Sequence, residues 1–373
     1  MSASLEIRPV RSKKEREAFI RLPWLLYADD SNWIPPLLRD MRRALDPAVH
    51  PFHRHSDVQT FLALQAGRPV GRIAAIHNKN HQTYHDEPVG FFGFFESPDD
   101  PAIAGALFDR AAAWLRERGL RVMRGPTSFS TNETSGLLIE GFDGPPVVMM
   151  SYNPAFYVDL VQEYGFRPAK TLLAYFIDNQ TPPEYLVRAA SVVERRSKVT
   201  VRPMRMKEFE AELATVKRIY NAAWERNWGF VPMTDEEFDF LAEELKPIVD
   251  PNLALLAEAP DGEVAGFALA LPDFNQVLVH LDGRLFPFGV LKALYYQRKI
   301  FRMRVVTLGL LETYRNKGID ALLYLSLIRN GAARGITFAE LSWVLEDNEA
   351  MNKPLQRLGG RVYRRYRLYD AAL

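Results

Sequence analysis

The chain has 373 residues, 47% of them apolar and 25% charged, with a net charge of +1 and no cysteine. That length accommodates two ordinary domains, and the composition excludes wholesale disorder. Balanced charge removes the footprint of a mainly electrostatic nucleic-acid partner, and the absence of cysteine excludes disulfides, a thiol nucleophile and thiolate-bound zinc.

In chain order, strands are predicted near residues 5–10, 58–66, 69–77, 89–95, 120–125 and 171–177, with helices near 12–27, 101–118 and 154–163. Pro35-Pro36, His50-Pro51 and the polar run His77 to Glu87 read as punctuation. A linker at 179–198 contains a helix from Glu184 to Arg196. Beyond it, strands are predicted near 199–204, 252–259, 264–271, 303–311, 336–344 and 361–369, with helices near 207–226, 234–248, 287–299, 319–333 and 348–357. No run approaches a membrane span and the N-terminus has no apolar leader, so a cytoplasmic protein is expected.

The two halves repeat. Leu5-Glu-Ile-Arg-Pro matches Val199-Thr-Val-Arg-Pro, Glu96 and Gly119 match Glu312 and Gly335, and Gly165 matches Gly359. The changing offset locates one insertion at Thr127 to Ser151 and another around Asp273 to Lys299. Alternating strands and helices, used twice, predict two α/β domains, 1–178 and 199–373, each a mixed central sheet flanked by helices.

The sharpest chemical signal is Leu310 to Arg329, where an apolar strand passes through Arg315-Asn-Lys-Gly318 into an apolar-periodic helix. Unpaired N–H groups at such a helix start, with the positive end of its dipole, favour a phosphate. Arg315 and Lys317 add charge, and Gly318 permits close approach. This segment resembles the acyl-CoA pyrophosphate turn of the GNAT acyltransferases, departing from it at Asp320. Asp347-Asn348 through Leu358-Gly359 resembles their last helix, with Leu355 where the family often has a tyrosine acid.

Over its whole length the chain is similar to tandem GNAT-like proteins related to bacterial ceramide synthases. The residues carrying this include Gly90 to Glu96, Gly125-Pro126, Tyr152-Asn153-Pro154, Asn221 to Trp224 and Asn227 to Pro232. The resemblance implies an N-acyltransferase with acyl-CoA as co-substrate and no metal, acylating the amine of a lipidic, sphingoid-like long-chain base. The cofactor residues it implies are Leu310, Leu311, Arg315, Asn316, Lys317, Gly318, Ile319, Asp320 and Asn348, with the N–H groups near Leu310 and Leu311 polarising the thioester. The first half, with Glu96-Ser-Pro-Asp-Asp-Pro101 in place of the turn, is read as a non-catalytic copy whose acids repel a pyrophosphate and which shapes the acceptor groove.

Amide formation also needs a base for the amine proton. Glu312, Asp273, Asn275 and Glu225 are candidates, grouped as one polar end of the sheet. Asn132 and Glu133 either form a turn-rich loop or reach the other half's cleft to bind the acceptor, together with Tyr152, Asn153 and Trp228. Leu285 to Lys299 is either a helix packed on its own domain, a lid over an acyl chain, or an interfacial helix touching the inner membrane face. His77, His81 and His85 are read as loop residues rather than metal ligands. Two rivals are an aminoacyl-tRNA-dependent transferase and a non-catalytic acyl-CoA or lipid-binding protein.

Overall fold

In each half of the chain, apolar strands with opposite faces buried form a mixed sheet, and helices cover both faces. The computed structural model describes residues 4–178, 181–225 and 227–373. Met1 to Ala3, Arg226, and Asn179 and Gln180, the first two linker residues, lie outside them.

The first half contains β1 (Leu5–Pro9), α1 (Lys13–Leu26), α2 (Leu38–Ala44), β2 (Ser56–Gln65), β3 (Arg68–Asn78), α3 (Lys79–His85), β4 (Val89–Glu96) and α4 (Pro101–Arg116). It continues with β5 (Val122–Gly125), β6 (Thr127–Ser128), β7 (Thr134–Ser135), β8 (Leu137–Glu140), α5 (Tyr157–Tyr164) and β9 (Arg167–Asp178). After α6 (Glu184–Ser197) come β10 (Thr200–Pro203), α7 (Phe209–Trp224), α8 (Asp235–Leu245), β11 (Ala254–Glu258), β12 (Val264–Pro272), α9 (Asn275–Leu278) and α10 (Gly289–Tyr296). The chain ends with β13 (Arg302–Leu310), α11 (Ile319–Ala333), β14 (Phe338–Leu345), α12 (Glu349–Arg357) and β15 (Arg361–Ala372).

The repeat is visible in the pairing. β1, β2, β3 and β4 pair antiparallel in order, and β4 then pairs parallel with β5. β10, β11, β12 and β13 do the same, and β13 pairs parallel with β14. A parallel pair requires a crossover, supplied by α4 in one copy and α11 in the other.

The chain packs as two units. The first comprises 1–172, 278–290 and 364–373, and the second 173–277 and 291–363. These differ from the halves at 1–178 and 199–373 because two segments are recruited out of sequence order. The C-terminal part of β15 pairs antiparallel with β5, Tyr369 opposite Gly125. The segment 278–290 is pinned to α1 and α2: Trp24 Nε1 donates to Asp282 Oδ1 at 3.0 Å, and Leu38 N–H to Gly283 O at 3.0 Å. The first part of the second half's insertion therefore packs on the first unit.

Each sheet carries a core on both faces. In the first unit α4 and α5 bury Leu107, Phe108, Leu160 and Val161 against Phe61, Ile73 and Phe92, while α1 sets Phe19 and Ile20 against Leu62, Ala74 and Phe91. In the second, α11 and α6 cover one face with Leu323, Leu327 and Leu186, and α7 and α8 cover the other with Ile219 and Phe238. Each such side chain contributes about 1.5–3 kcal/mol on burial.

The polar run 77–87, read as loop, is partly the helix α3: Asn78 caps it by accepting from His81 N–H at 3.1 Å. His81 is buried edge-on against the Phe91 ring. Among the described residues, no three or more metal-ligating side chains come together, and no helix is long and apolar enough to cross a membrane.

Candidate acyl-transfer site

In the second unit the two parallel strands separate. β13 and β14 are in register only from Arg302 opposite Phe338 to Val305 opposite Leu341. β13 runs on to Leu310 and β14 to Leu345, so a wedge opens between them. Leu311 N–H bonds Ala265 O on β12 at 3.0 Å. Strand alternation then turns the N–H of Leu310 the other way, toward the side β14 has left. That is a donor facing an open gap, the arrangement an oxyanion requires.

The turn follows immediately. Asn316 and Gly318 take positive φ, +60° and +77°, and Gly318 starts α11. The first helix amide to bond backward is Ala321, to Gly318 O at 3.0 Å. Among the described residues, no backbone carbonyl accepts from the N–H groups of Asn316 to Asp320, and these are the donors a pyrophosphate would use. A Cβ on Gly318 would sit 2.7 Å from Val193 Cγ2 of α6, so glycine is required for space as well as for φ. Exposed Lys317 lies near the turn with its Nζ 5.2 Å from the Tyr314 ring, and Tyr314 donates to Glu263.

Other predicted residues are placed differently. Arg315 folds back over carbonyls, with Nε near Leu310 O and Nη2 near Ala222 and Ala223 O, each at 3.4 Å. It joins the strand end to the C-terminus of α7, where its charge meets the negative end of a helix dipole. Exposed Glu225 follows that same helix end, and exposed Glu312 follows β13, so both lie at the wedge end of the sheet.

Asp273 and Asn275 do not. Asp273 N–H bonds Arg302 O at the start of β13, and its fully buried carboxylate pairs with Arg302 at 3.0 Å and accepts from Gln276. The full length of β13, about 25–30 Å at strand rise, separates them from Glu312. The grouping as one polar end fails because β12 and β13 are antiparallel, which puts the end of one beside the start of the other.

Asn348 caps α12, accepting from Met351 N–H at 3.2 Å. Leu355 is fully buried in the core. Asn352, one turn after Asn348, is bonded on both sides, donating to Leu345 and Glu346 O and accepting from Tyr175.

Sequence reasoning missed the floor of the wedge. Arg304 and Glu340 are opposite in register, 2% exposed each, with guanidinium and carboxylate 3.5 Å apart. Arg304 also donates to Ser342 O at 3.3 Å and lies over the Trp343 ring, holding β14 where it departs. A charge embedded in each of two apolar runs, RMRVV and FAELS, was the available signal. Thr307 Oγ1 and Asn221 Oδ1 are buried without a hydrogen-bond partner among the described residues. A Cβ on Gly309 would meet the Trp224 ring at 2.5 Å, so α7 seats directly on β13.

The first unit has the same divergence, and there it is filled. β4 and β5 pair only from Val89 to Phe91. The inserted hairpin β6–β7 enters the opening: Phe94 N–H donates to Ser128 Oγ at 3.1 Å, and a Cβ on Gly93 would lie 1.7 Å from Thr127 O. By the repeat offset, Phe94 is the counterpart of Leu310, so a side chain of the protein takes the equivalent donor. Phe129 anchors the hairpin, stacked on Phe52. Glu133 accepts from Phe129 N–H and Asn132 N–H donates to Ser130 Oγ, which makes this insertion a self-bonded turn inside its own unit.

Nor does Glu96 face outward to repel a phosphate. It is half-buried against Arg72 at 3.3 Å, and accepts from Tyr27 at 2.6 Å and Tyr157 at 2.8 Å. Loss of solvation raises its pKa against the opposing pull of Arg72. The amides opening α4 are taken by Asp100, which accepts from Ala102 and Ile103. Asn153 is spent on backbone, accepting from Leu138 N–H at 2.8 Å and donating to Leu138 O. Tyr152 donates to Asp30 at 2.5 Å, and Trp228 is half-buried in a turn.

A repeated sheet with one open and one plugged strand divergence is a tandem GNAT fold, and solved structures agree. A tandem GNAT protein from the clavulanic acid biosynthesis pathway matches with TM-score 0.58 at 11% identity, covering 99% of this chain and 98% of that one. A GCN5-related N-acetyltransferase from Sphaerobacter thermophilus matches with TM-score 0.54 at 15% identity, covering 99% and 95%. No family model matches. Two full-length relatives do: bacterial ceramide synthase of Caulobacter vibrioides, 36% identical over 100% of this chain and 98% of that protein, and protein YghO of Escherichia coli, 36% identical over 98% and 94%. The chain belongs to the tandem GNAT-like family that contains them.

Proposed function

We propose that the protein is an N-acyltransferase that uses acyl-CoA and acylates the amine of a sphingoid-like long-chain base at the cytoplasmic face of the membrane. The wedge between β13 and β14, with Leu310 N–H turned into it beside the open amides of Asn316 to Asp320, carries this reading. The full-length relationship to a protein named bacterial ceramide synthase supports the acceptor class.

In this reading the amides of Asn316 to Asp320 and the Lys317 side chain bind the pyrophosphate, and Asn348 lies along the pantetheine arm. The thioester carbonyl accepts from Leu310 N–H, with Leu311 shaping the strand end. The amine nitrogen attacks the carbonyl carbon, the C–S bond breaks, and the thiolate leaves. A carboxylate at the same end of the sheet, Glu312 or Glu225, takes the amine proton directly or through water. Arg315 holds the turn against α7 rather than touching phosphate.

Binding is tested by thermal shift. Acyl-CoA at about a hundredfold over its Kd raises the melting temperature on the order of 5 °C. Gly318→Trp abolishes the shift, and exposed Lys317→Glu, which leaves the packing untouched, reduces it. Absence of any shift with short- or long-chain acyl-CoA rejects the site.

A further inference from the structure

Surface helices of proteins in water hide their apolar stripe. The segment around α10 does the opposite: Phe286 is 78% exposed, Phe288 69%, Leu291 67%, Leu294 51% and Tyr295 57%. At its root, within the first unit, lies a cavity of about 300 Å³ whose lining includes Leu38, Phe286 and four arginines, Arg21, Arg39, Arg42 and Arg284.

These arginines are only partly neutralised. Glu17 pairs with Arg42 at 2.7 Å and Arg21 at 2.5 Å, and the Arg42 hydrogen bonds hold its carboxyl down at about 2. Asp40 pairs with Arg39 at 3.2 Å. Exposed Arg284 has no carboxylate within ion-pair distance among the described residues. Four guanidiniums against three carboxylates, Glu17, Asp40 and the Asp282 that anchors the segment, leave the cavity positive, and the apolar wall continues outward into the exposed phenylalanines. Free phosphate would use only the first of these features, and an uncharged lipid surface only the second. A ligand with an anionic head and an apolar body uses both.

We propose that this cavity takes the phosphate of an anionic phospholipid while Phe286 and Phe288 at its rim enter the bilayer interface. The segment is positioned for this by its anchorage, since Gly283 is packed against Trp24 and Pro36 so closely that a Cβ would lie 2.6 Å from the indole. The site shares no residue with the acyl-transfer wedge and does not depend on that reading.

The test is flotation of the full-length protein with phosphatidylcholine vesicles prepared with and without phosphatidylglycerol. Binding is expected to be about tenfold stronger with the anionic lipid and to weaken as salt rises. Phe286→Ser with Phe288→Ser, and separately Arg39→Glu with Arg284→Glu, each lower it about tenfold or more at unchanged melting temperature. Equal binding to both vesicles, no binding, or binding unaffected by either pair overturns the proposal. So does competition by soluble glycerol phosphate with no dependence on the phenylalanines, or conversion of a dimer to monomer by the serine pair, which would make the face a contact between two copies.

Discussion

His81 shows how a single residue can set a pH limit. Its ring is buried against Phe91 and beside His85, and desolvation lowers its pKa from 6.5 to about 3. The folded state thus resists a proton that the unfolded state accepts, so stability is lost as pH falls from about 6.5 toward 3. At pH 5 the loss approaches about 2 kcal/mol. Melting curves of His81→Phe should lose most of the drop between pH 7 and pH 5 seen in the parent; an unchanged drop would assign it elsewhere. Position 81 reads as loop in the sequence because Asn78, Lys79 and Asn80 carry no apolar period, and a buried histidine has no signature in such a run. Gly318, by contrast, was legible as a backbone position, because a turn from strand to helix calls for the positive φ, +77°, that glycine takes there.

At the scale of elements, strands and crossover helices were readable because their apolar periods are long and the two copies reinforce each other. Registers were not. The antiparallel pairing that carries Asp273 to the far end of β13 cannot be inferred from the residues near it, and Arg304 and Glu340 become partners only once β13 and β14 are aligned. The hairpin β6–β7 illustrates the same limit: its polar residues left a turn-rich loop and a reaching loop both open, and only the fold shows it paired with itself and bonded to β4 through Ser128 Oγ. Gly93→Ala forces a Cβ onto Thr127 O and should lower the melting temperature by several degrees. On the proposed reading, which puts the donor site in the open copy, the thermal shift with acyl-CoA should persist. Loss of both together would show that the first copy contributes to the donor site.

For the whole molecule, one fold is used twice with unequal outcomes. One strand divergence lies beside amides that no backbone carbonyl takes among the described residues; the other is closed by a hairpin, its carboxylate held by two tyrosines and an arginine, and its helix start capped by Asp100. The C-terminal strand contributes Tyr366, Leu368 and Tyr369, all nearly fully buried, to the first unit. A chain ending at Tyr363 should therefore be insoluble or show rapid hydrogen exchange along β5, whereas slow exchange there would contradict the packing. Transfer of an acyl group from CoA to a long-chain amine by the open copy can be measured with purified protein, acyl-CoA and a long-chain base. Free thiol released in step with N-acylated base is the predicted result. Folded protein that binds acyl-CoA but releases thiol only with small polyamines, or with no amine at all, would contradict it.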